Sequence, residues 1–441
     1  MDENAKMHGT IPLEYKLCKK DNKPTISSSN GIRNQFYKKY IDKLQSAKIA
    51  GGILAKKAIT GPWTVQIDII NNCNNDCVGC WCHSPLLGEL AMSPEIKKKY
   101  LETNLVMKLI DDLYKLGARD MYFTGGGEPF MHPDSVKIME YVKSKGMRCD
   151  MSTNFTLMTE EKAMRLVDAG VDNMNCSIWA GSSEGYERTH PNKSASTFEQ
   201  LRKKLFFMSH YKKKKMTAMP NIQIYNVIST LNYDDFENMI EFAFQVKANG
   251  IDFTPTDIVP GKTDTLMLDE KQRLWLLDKI RKIPKKIQYW EKYYRHRLTN
   301  MKLGSLARRM ESDETEKGKY DKNIIGTFPC YAGFTFLRIL ADGSVNSCLK
   351  SQNIEIGNIY HNSIKTIWNS AKQEEFRNHT INYRVDNPYF NQIGNRYQSG
   401  NGCLLCCDNI EFNHLVHKKI RKLGPLLRTA LYQYAVAEAR K

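Results

Sequence analysis

"NNCNNDCVGCWCHSP" spans Asn71–Pro85 and places Cys73, Cys77, Cys80 and Cys82 close together. The first three cysteines have the spacing C-x3-C-x2-C. Soft thiolates held this close select zinc, copper or an iron–sulfur cluster. Three thiols in one loop suit a [4Fe–4S] cluster with one iron left open. The alternative is a zinc loop, although structural zinc sites commonly use a C-x2-C pair with two more ligands further along the chain. Cys82 follows Cys80 so closely that we expect its side chain to point away from the other thiols.

The cysteine run follows a predicted strand, "TVQIDII" (Thr64–Ile70), that is rich in β-branched residues. Strands and helices then alternate through six β/α units, which predicts an α/β fold with a parallel sheet and right-handed crossovers. Functional groups of such sheets gather at the carboxyl ends of the strands. The further predicted strands are Met121–Thr124, Cys149–Thr153, Asn173–Trp179, Asn221–Ser229 and Ile251–Pro255.

The composition is that of a globular protein, with 41% hydrophobic residues among 441. No apolar run approaches the roughly 18 residues of a membrane-spanning helix. The N-terminus has no apolar segment of the signal-peptide kind, so we expect a cytoplasmic protein. In that reducing compartment the twelve cysteines indicate metal binding or catalysis rather than disulfides.

The formal net charge of +17 favours acidic partners. Nucleic acid, an anionic membrane surface, a phosphorylated substrate and an acidic electron carrier all meet this criterion, and a biased genome composition also produces such a charge. We find no RNA-binding module in the sequence. Nucleic acid is therefore the less favoured partner.

A second motif, "TGGGEP" (Thr124–Pro129), follows the second predicted strand. Together with the cysteine spacing, it makes Pro62–Ile280 resemble the radical SAM superfamily. The resemblance implies a partial (β/α)6 barrel whose open iron binds S-adenosylmethionine (SAM). One electron then cleaves SAM to a 5'-deoxyadenosyl radical, which abstracts a hydrogen atom from the substrate.

The resemblance also implies residues that contact SAM at the strand ends. The glycines of TGGGEP bring backbone carbonyls near the methionine ammonium group, and Glu128 adds a carboxylate there. Residues at or just after the ends of the third to fifth strands contact the rest of the cofactor, with Asn226 and Val227 beside the adenine. The implied residues are Gly125, Gly126, Gly127, Glu128, Ser152, Asn154, Ser177, Arg188, Asn226 and Val227.

One position departs from the family pattern. The family usually carries an aromatic residue immediately before the third cysteine, where it packs on the adenine. Here that residue is Gly79, and Trp81 follows Cys80 instead. Either Trp81 fills the role from the other side, or the adenine pocket is lined differently.

A second cysteine set lies beyond the barrel, around a hairpin predicted by Asp342-Gly343. It resembles the SPASM and twitch extensions of radical SAM enzymes, which are small, cysteine-rich α+β regions. The resemblance implies an auxiliary [4Fe–4S] cluster, and the alternative is a structural zinc site with the same ligands. The ligands would be Cys330, Cys348, Cys403 and Cys406, with Cys407 either spare or replacing Cys406.

These patterns divide the chain into five predicted segments. The central segment is the barrel, and the auxiliary cluster region follows it after a helical linker. The segments are an N-terminal extension (1–60), the barrel (61–282), the linker (283–329), the SPASM/twitch-like region (330–407) and a basic helical tail (408–441).

The combination predicts a radical SAM oxidoreductase that oxidises a small polar metabolite and passes an electron to the auxiliary cluster. Asp257, just after the sixth strand, is a candidate base for a substrate proton, although an aspartate there also caps turns. The alternatives are a maturase of a ribosomally made peptide or protein, and an RNA-modifying enzyme. An acidic electron donor such as flavodoxin or ferredoxin is the expected protein partner.

Overall fold

The structure is a computed structural model that describes residues 29–312, 314–384, 387–393, 403, 407 and 409–440. Residues 1–28 of the predicted N-terminal extension lie outside the described residues, and so does Cys406, a predicted auxiliary ligand. The described residues form one ten-stranded sheet with helices packed against it.

The sheet contains the six predicted barrel strands in sequential order, all parallel. Across the sheet the strands follow the order β10-β9-β8-β1-β2-β3-β4-β5-β6-β7. Their bounds are β1 Thr64–Ile67, β2 Asp120–Phe123, β3 Arg148–Thr153, β4 Asn173–Ser177, β5 Asn221–Ile228, β6 Gly250–Pro255, β7 Asn300–Met301, β8 Phe336–Ile339, β9 Ser344–Asn346 and β10 Gly357–Asn358.

Helices connect the strands and continue to the C-terminus. Their bounds are α1 Ser29–Leu54, α2 Pro94–Lys97, α3 Thr103–Leu116, α4 Ser135–Ser144, α5 Glu160–Ala169, α6 Ser183–Thr189, α7 Ala195–Lys214, α8 Phe236–Gln245, α9 Glu270–Tyr293, α10 Leu303–Glu311, α11 Ala332–Thr335, α12 Ile364–Trp368, α13 Ala371–Ile381, α14 Ile410–Arg421 and α15 Pro425–Glu438.

Alternation along the strands gives the sheet one apolar face and one polar face. Val65 and Ile67 of β1 belong to the core that includes α3 residues such as Val106 and Leu109. Gln66, between them, lies on the opposite face, which lines the inside of the partial barrel. The α/β fold class is thus confirmed, with its apolar face covered by helices.

The C-terminal cysteine region joins the barrel sheet directly. β8 pairs in parallel with β1, from Thr64 opposite Phe336 to Ile67 opposite Ile339. β9 returns antiparallel to β8, as the Asp342-Gly343 turn predicts. Gly343 has a φ of +84°, a left-handed conformation that favours glycine at this turn.

The segment 283–329 is more than the helical linker that we predicted. α9 continues through Pro284, because its buried face extends past the proline to Trp290 and this packing outweighs the lost hydrogen bond. β7 then pairs in parallel with the start of β6 and adds a seventh parallel strand after β6. A strand of two residues is too short to be predicted from periodicity.

The N-terminal helix α1 packs against the C-terminal helix α15. A methyl group added at Gly51 would lie 2.8 Å from the carbonyl oxygen of Leu431, so the two helices are in close contact. Ile49 and Ile53 of α1 share a small core with Tyr331, Phe334 and Ile420. None of the described helices has the length and apolar character needed to cross a membrane.

Candidate functional site

The cysteine loop follows β1 at the carboxyl edge of the sheet, and its backbone points N–H groups at the thiols. The Sγ of Cys80 accepts hydrogen bonds from the backbone N–H groups of Cys82 (3.4 Å) and His83 (3.3 Å). The Sγ of Cys73 accepts one from Asn75 at 3.5 Å. Such donors stabilise negative charge on sulfur, which a metal-bound thiolate carries.

The three motif thiols are close enough to affect one another's ionisation. Burial and then the neighbouring thiolates raise the pKa of Cys77, and burial raises that of Cys73 to about 12. The pKa of Cys80 is lowered, chiefly because the Cys82 thiol donates a hydrogen bond to it. Cys82 therefore lies against Cys80 and does not point away as we predicted.

The chemistry of this donor set fits a [4Fe–4S] cluster with an open iron. Cys73, Cys77 and Cys80 are half-buried and mutually close, and N–H donors surround them. Within the described part of the chain, no group of three or more Cys, His, Asp or Glu side chains has a geometry that would hold one metal ion.

The glycines of TGGGEP press against the cysteine loop and β1. Gly125 has a φ of +126°, and a methyl group there would lie 1.9 Å from the Asp68 carboxyl carbon. The carbonyl oxygen of Gly126 is 2.6 Å from Nε2 of His83. A methyl group at Gly127 would lie 2.1 Å from the carbonyl oxygen of Asn72. Glycine is thus required at these positions because the backbone lies close to β1 and to the cysteine loop of the protein itself.

Glu128 ties the end of β2 to the end of β3. Its carboxylate accepts hydrogen bonds from Thr153 Oγ1 (2.7 Å), the backbone N–H of Asn154 (2.6 Å) and that of Phe130 (3.1 Å). Burial raises its pKa to about 7, against the effect of these donors. Its described contacts are therefore internal to the protein.

Two of the predicted SAM contacts hold neighbouring parts of the site. Asn154 donates from Nδ2 to Oδ1 of Asn74 in the cysteine loop, at 2.9 Å. The Oγ of Ser152 is 2.5 Å from the phenolic oxygen of Tyr122, which also accepts from Asn175. Ser152 therefore belongs to a polar network on the inner face of the barrel.

Ser177 and Val227 lie at the ends of β4 and β5, where they were expected. Ser177 Oγ accepts a hydrogen bond from Trp179 Nε1 at 3.3 Å, and the Val227 carbonyl accepts one from Asn232 at 2.9 Å. Val227 is two residues beyond Tyr225, on the inner face of β5.

The structure does not bring Arg188 and Asn226 to the same place as the other predicted contacts. Arg188 forms a two-bond ion pair with Asp234 at the surface, at 2.9 and 3.1 Å. Asn226 is fully buried on the strand face of Ile224 and Ile228, which packs against helices. The pleat of β5 explains the position of Asn226, because side chains alternate between the two faces of a strand.

Trp179, not Trp81, faces Gly79. A methyl group at Gly79 would lie 3.5 Å from the Trp179 ring. Trp179 adopts a φ of +58° and its carbonyl accepts a hydrogen bond from Asn232 at 2.8 Å. Trp81 instead lies beneath Lys350, whose Nζ is 5.7 Å from the ring centre.

Asp257, the candidate base, is paired with the same lysine. Its Oδ2 accepts from Lys350 Nζ at 2.5 Å, while the buried Oδ1 has no hydrogen-bond partner among the described residues. Lys350 follows Cys348 by two residues. The pair therefore connects the end of β6 to the auxiliary cysteine region.

The auxiliary thiols assemble from three separate segments. Burial raises the pKa of Cys403, and the charges of Cys348 and Cys330 raise it further, so these three thiols are near one another. Tyr383 donates a hydrogen bond to Cys403 and lies within electrostatic range of Cys407, whose N–H donates to Asp321 at 3.0 Å. Three predicted ligands thus fit an auxiliary cluster, and Cys407 lies beside them.

An ion pair that the sequence analysis missed joins the two cysteine regions. Arg338 of β8 and Asp68, just after β1, are paired at 2.6 Å with side chains 5% and 0% exposed. Burial lowers the pKa of Arg338, but the Asp68 carboxylate and the thiolates of Cys82 and Cys348 outweigh it and raise the pKa. The sequence did carry an indication of this pair. Asp68 in "TVQIDII" and Arg338 in "FLRI" are the only charged residues in two otherwise uncharged strand segments, and their charges are opposite.

Two family models match the chain. The Radical SAM superfamily model matches residues 67–243, and the SPASM model of an iron–sulfur cluster-binding domain matches residues 330–390. These matches assign a [4Fe–4S] cluster and SAM to the barrel and auxiliary iron–sulfur binding to the C-terminal region.

Two curated relatives match most of their own length. A tungsten-containing aldehyde ferredoxin oxidoreductase cofactor-modifying protein of Pyrococcus furiosus is 24% identical over 326 residues, 72% of this chain and 84% of the relative. An AdoMet-dependent heme synthase of Nitratidesulfovibrio vulgaris is 23% identical over 371 residues, 81% of this chain and 91% of the relative.

Solved structures share the fold at low sequence identity. Streptococcus suis SuiB bound to S-adenosylmethionine has a TM-score of 0.53 at 15% identity, covering 78% of this chain and 73% of SuiB. Native anSMEcpe with bound AdoMet has a TM-score of 0.53 at 15% identity, covering 85% of this chain and 100% of anSMEcpe. These structures show the shared fold, and the two family-model matches identify the chain as a radical SAM superfamily enzyme with a C-terminal SPASM domain.

Proposed function

We propose that this protein oxidises a small polar molecule, with the auxiliary cluster as the acceptor of one substrate electron. The proposal rests on the pairing of β8 with β1. Because of this pairing, the strands next to the two cysteine regions are neighbours in one sheet. Arg338 lies within electrostatic range of both Cys82 and Cys348. A substrate held inside the barrel would thus lie beside both metal sites.

When bound, SAM and its cluster supply a 5'-deoxyadenosyl radical that removes a hydrogen atom. This chain's residues hold the thiolates, orient the substrate and exclude water. The cysteine loop is held to the ends of β2 and β3 by His83 and Asn154, through the contacts to Gly126 and Asn74. These contacts keep the thiols at fixed positions relative to the barrel interior.

A polar inner face supports a polar substrate. Tyr122, Ser152 and Asn175 form a hydrogen-bonded network there. Gln223 shares their face by its register with Asn175, and neither atom of its buried amide has a partner among the described residues. An unsatisfied buried amide is costly, so a substrate that hydrogen-bonds to Gln223 would recover that energy.

Loss of a hydrogen atom and an electron leaves a proton to be removed. Among the described residues, the buried Asp257 Oδ1 has no hydrogen-bond partner, whereas Oδ2 accepts a hydrogen bond from Lys350. The ion pair fixes the position of the carboxylate, as a general base requires. Asp257 is therefore the proposed proton acceptor.

The names of the relatives support a small-molecule substrate. One is a cofactor-modifying protein and another a heme synthase, and this chain covers more than four-fifths of each. Both act on cofactors according to those names.

The test uses reconstituted protein, SAM, a reductant and an anaerobic metabolite extract, followed by mass spectrometry. We expect 5'-deoxyadenosine together with a product two hydrogen atoms lighter than its precursor. Cys348→Ala should still form 5'-deoxyadenosine but no such product, and Cys80→Ala should form neither. A product found only in a peptide fraction would favour the maturase alternative, and wild-type protein that cleaves no SAM would refute the proposal.

A further inference from the structure

Helix α14 has one face on the auxiliary site and the other in solvent. Asn413, on the inner face, donates from Nδ2 to Cys330 Sγ at 3.5 Å and accepts from the Tyr331 N–H at 3.0 Å. His417, one turn further on, is 2.8 Å from the Tyr331 hydroxyl. The inner face therefore contacts one predicted ligand of the auxiliary cluster and the residue that follows it.

The outer face of α14 is basic around an apolar centre. Leu415, Lys418, Lys419 and Lys422 follow the i, i+3, i+4, i+7 spacing of one helix face, and all four are exposed. Leu415 is 55% exposed. None of the three lysines forms an ion pair with any residue in the described ranges.

Exposed apolar and basic residues continue along the chain into the first turn of α15. Leu426 and Leu427 are 89% and 53% exposed, and Arg428 follows them. We call the exposed residues Leu415, Lys418, Lys419, Lys422, Leu426, Leu427 and Arg428 the α14–α15 surface. Exposed leucines rimmed by cationic side chains are typical of an interaction site.

We propose that the α14–α15 surface docks an acidic one-electron carrier protein that exchanges electrons with the auxiliary cluster. Charge complementarity identifies the partner class, since the surface is cationic and the whole chain carries +17. The position of α14 beside Cys330 identifies electron exchange as the role of the partner. A protein bound to the outer face lies about one helix diameter, roughly 10–12 Å, from Cys330.

The inference rests on the proposed function, which leaves one electron on the auxiliary cluster after each substrate oxidation. That electron passes to the oxidised carrier, so the cluster is oxidised by one electron and the carrier reduced by one. No atom is transferred in this step.

The test measures binding of a purified flavodoxin to the reconstituted protein by calorimetry at low and high salt, without substrate. The triple variant K418E/K419E/K422E should weaken binding at least tenfold at low salt and flatten its salt dependence. The matched control, K203E/K213E/K214E on α7, makes the same charge change at exposed lysines and should alter binding less than threefold. Iron content and circular dichroism should match the wild type in both variants.

A milder variant, K418Q/K419Q/K422Q, should give an intermediate loss and covers the case in which the reversed charges perturb α14. Equal weakening in the α14 and α7 variants would overturn the proposal, since net charge alone would then explain binding. Unchanged flavodoxin binding in the α14 variant would also overturn it, whether or not that variant loses binding to phosphatidylglycerol vesicles. None of these outcomes depends on substrate oxidation, so they separate this inference from the proposed function.

Discussion

The two cysteine regions are built in opposite ways. Cys73, Cys77 and Cys80 come from one loop after β1, with backbone N–H donors supplied by the same loop. Cys330, Cys348 and Cys403 come from three segments that only the fold brings together. A local site is specified by spacing, whereas a site assembled over long range depends on the packing of everything between its ligands.

The largest effects should come from removing one thiol in each region. Cys80→Ala should lose about four irons per chain and all SAM cleavage, because it removes one of the three thiols that hold the cluster. Cys348→Ala should also lose about four irons but retain SAM cleavage. Iron analysis and 5'-deoxyadenosine formation measure both effects.

The control for this comparison is Cys176→Ala, which removes a fully buried core cysteine outside both regions. Its iron content should equal that of the wild type. If Cys348→Ala abolished SAM cleavage, the two regions would be one functional unit and the comparison would fail.

The next effect concerns the ion pair that joins the regions. Arg338→Met leaves the Asp68 carboxylate buried without its partner and should lower the free energy of unfolding by about 3–5 kcal/mol. The exposed pair of Arg165 and Glu140 is the matched control, and Arg165→Met should cost about 0–1 kcal/mol. Urea unfolding measures both, and equal losses would show that the Arg338 pair contributes no more than a surface pair.

The amino-terminal edge of the sheet, opposite the cysteine loop, offers a reference site. Burial raises the pKa of Asp120 to about 6, although Trp63 donates a hydrogen bond to it at 2.8 Å. Because its pKa is higher in the folded state, the contribution is fully present below about pH 4 and lost as the pH rises through about 6. It amounts to at most about 3 kcal/mol.

Asp120→Asn should remove that part of the pH dependence of the free energy of unfolding. Urea unfolding at several values between about pH 4 and about pH 7 measures it. A pH profile parallel to that of the wild type would contradict the assignment.

The smallest expected effect tests whether Trp81 belongs with the auxiliary region. Trp81→Leu and Lys350→Met each remove one partner of the cation–π contact. A double-mutant cycle should give a coupling energy of about 0.5–1 kcal/mol. Strictly additive losses would mean that Lys350 and Trp81 are neighbours without an energetic interaction.

Much of the barrel was predictable because its determinants are local. Each of the six strands is short and carries apolar residues at alternate positions, and each predicted strand overlaps an observed one. β7 was missed because its two residues carry no pattern, and the length of α9 was missed because Pro284 is tolerated only where both halves of the helix are buried. The predicted SAM contacts and metal ligands remain predictions.

The sequence alone determined the β/α order and the cysteine spacing, and hence the superfamily resemblance, because these depend on residues near one another along the chain. Tertiary structure decided what long-range packing controls. It placed β8 beside β1, buried Arg338 against Asp68, turned Asn226 toward the helices and paired Asp257 with Lys350. No spacing rule links those partners, since each contact forms only when distant segments pack together.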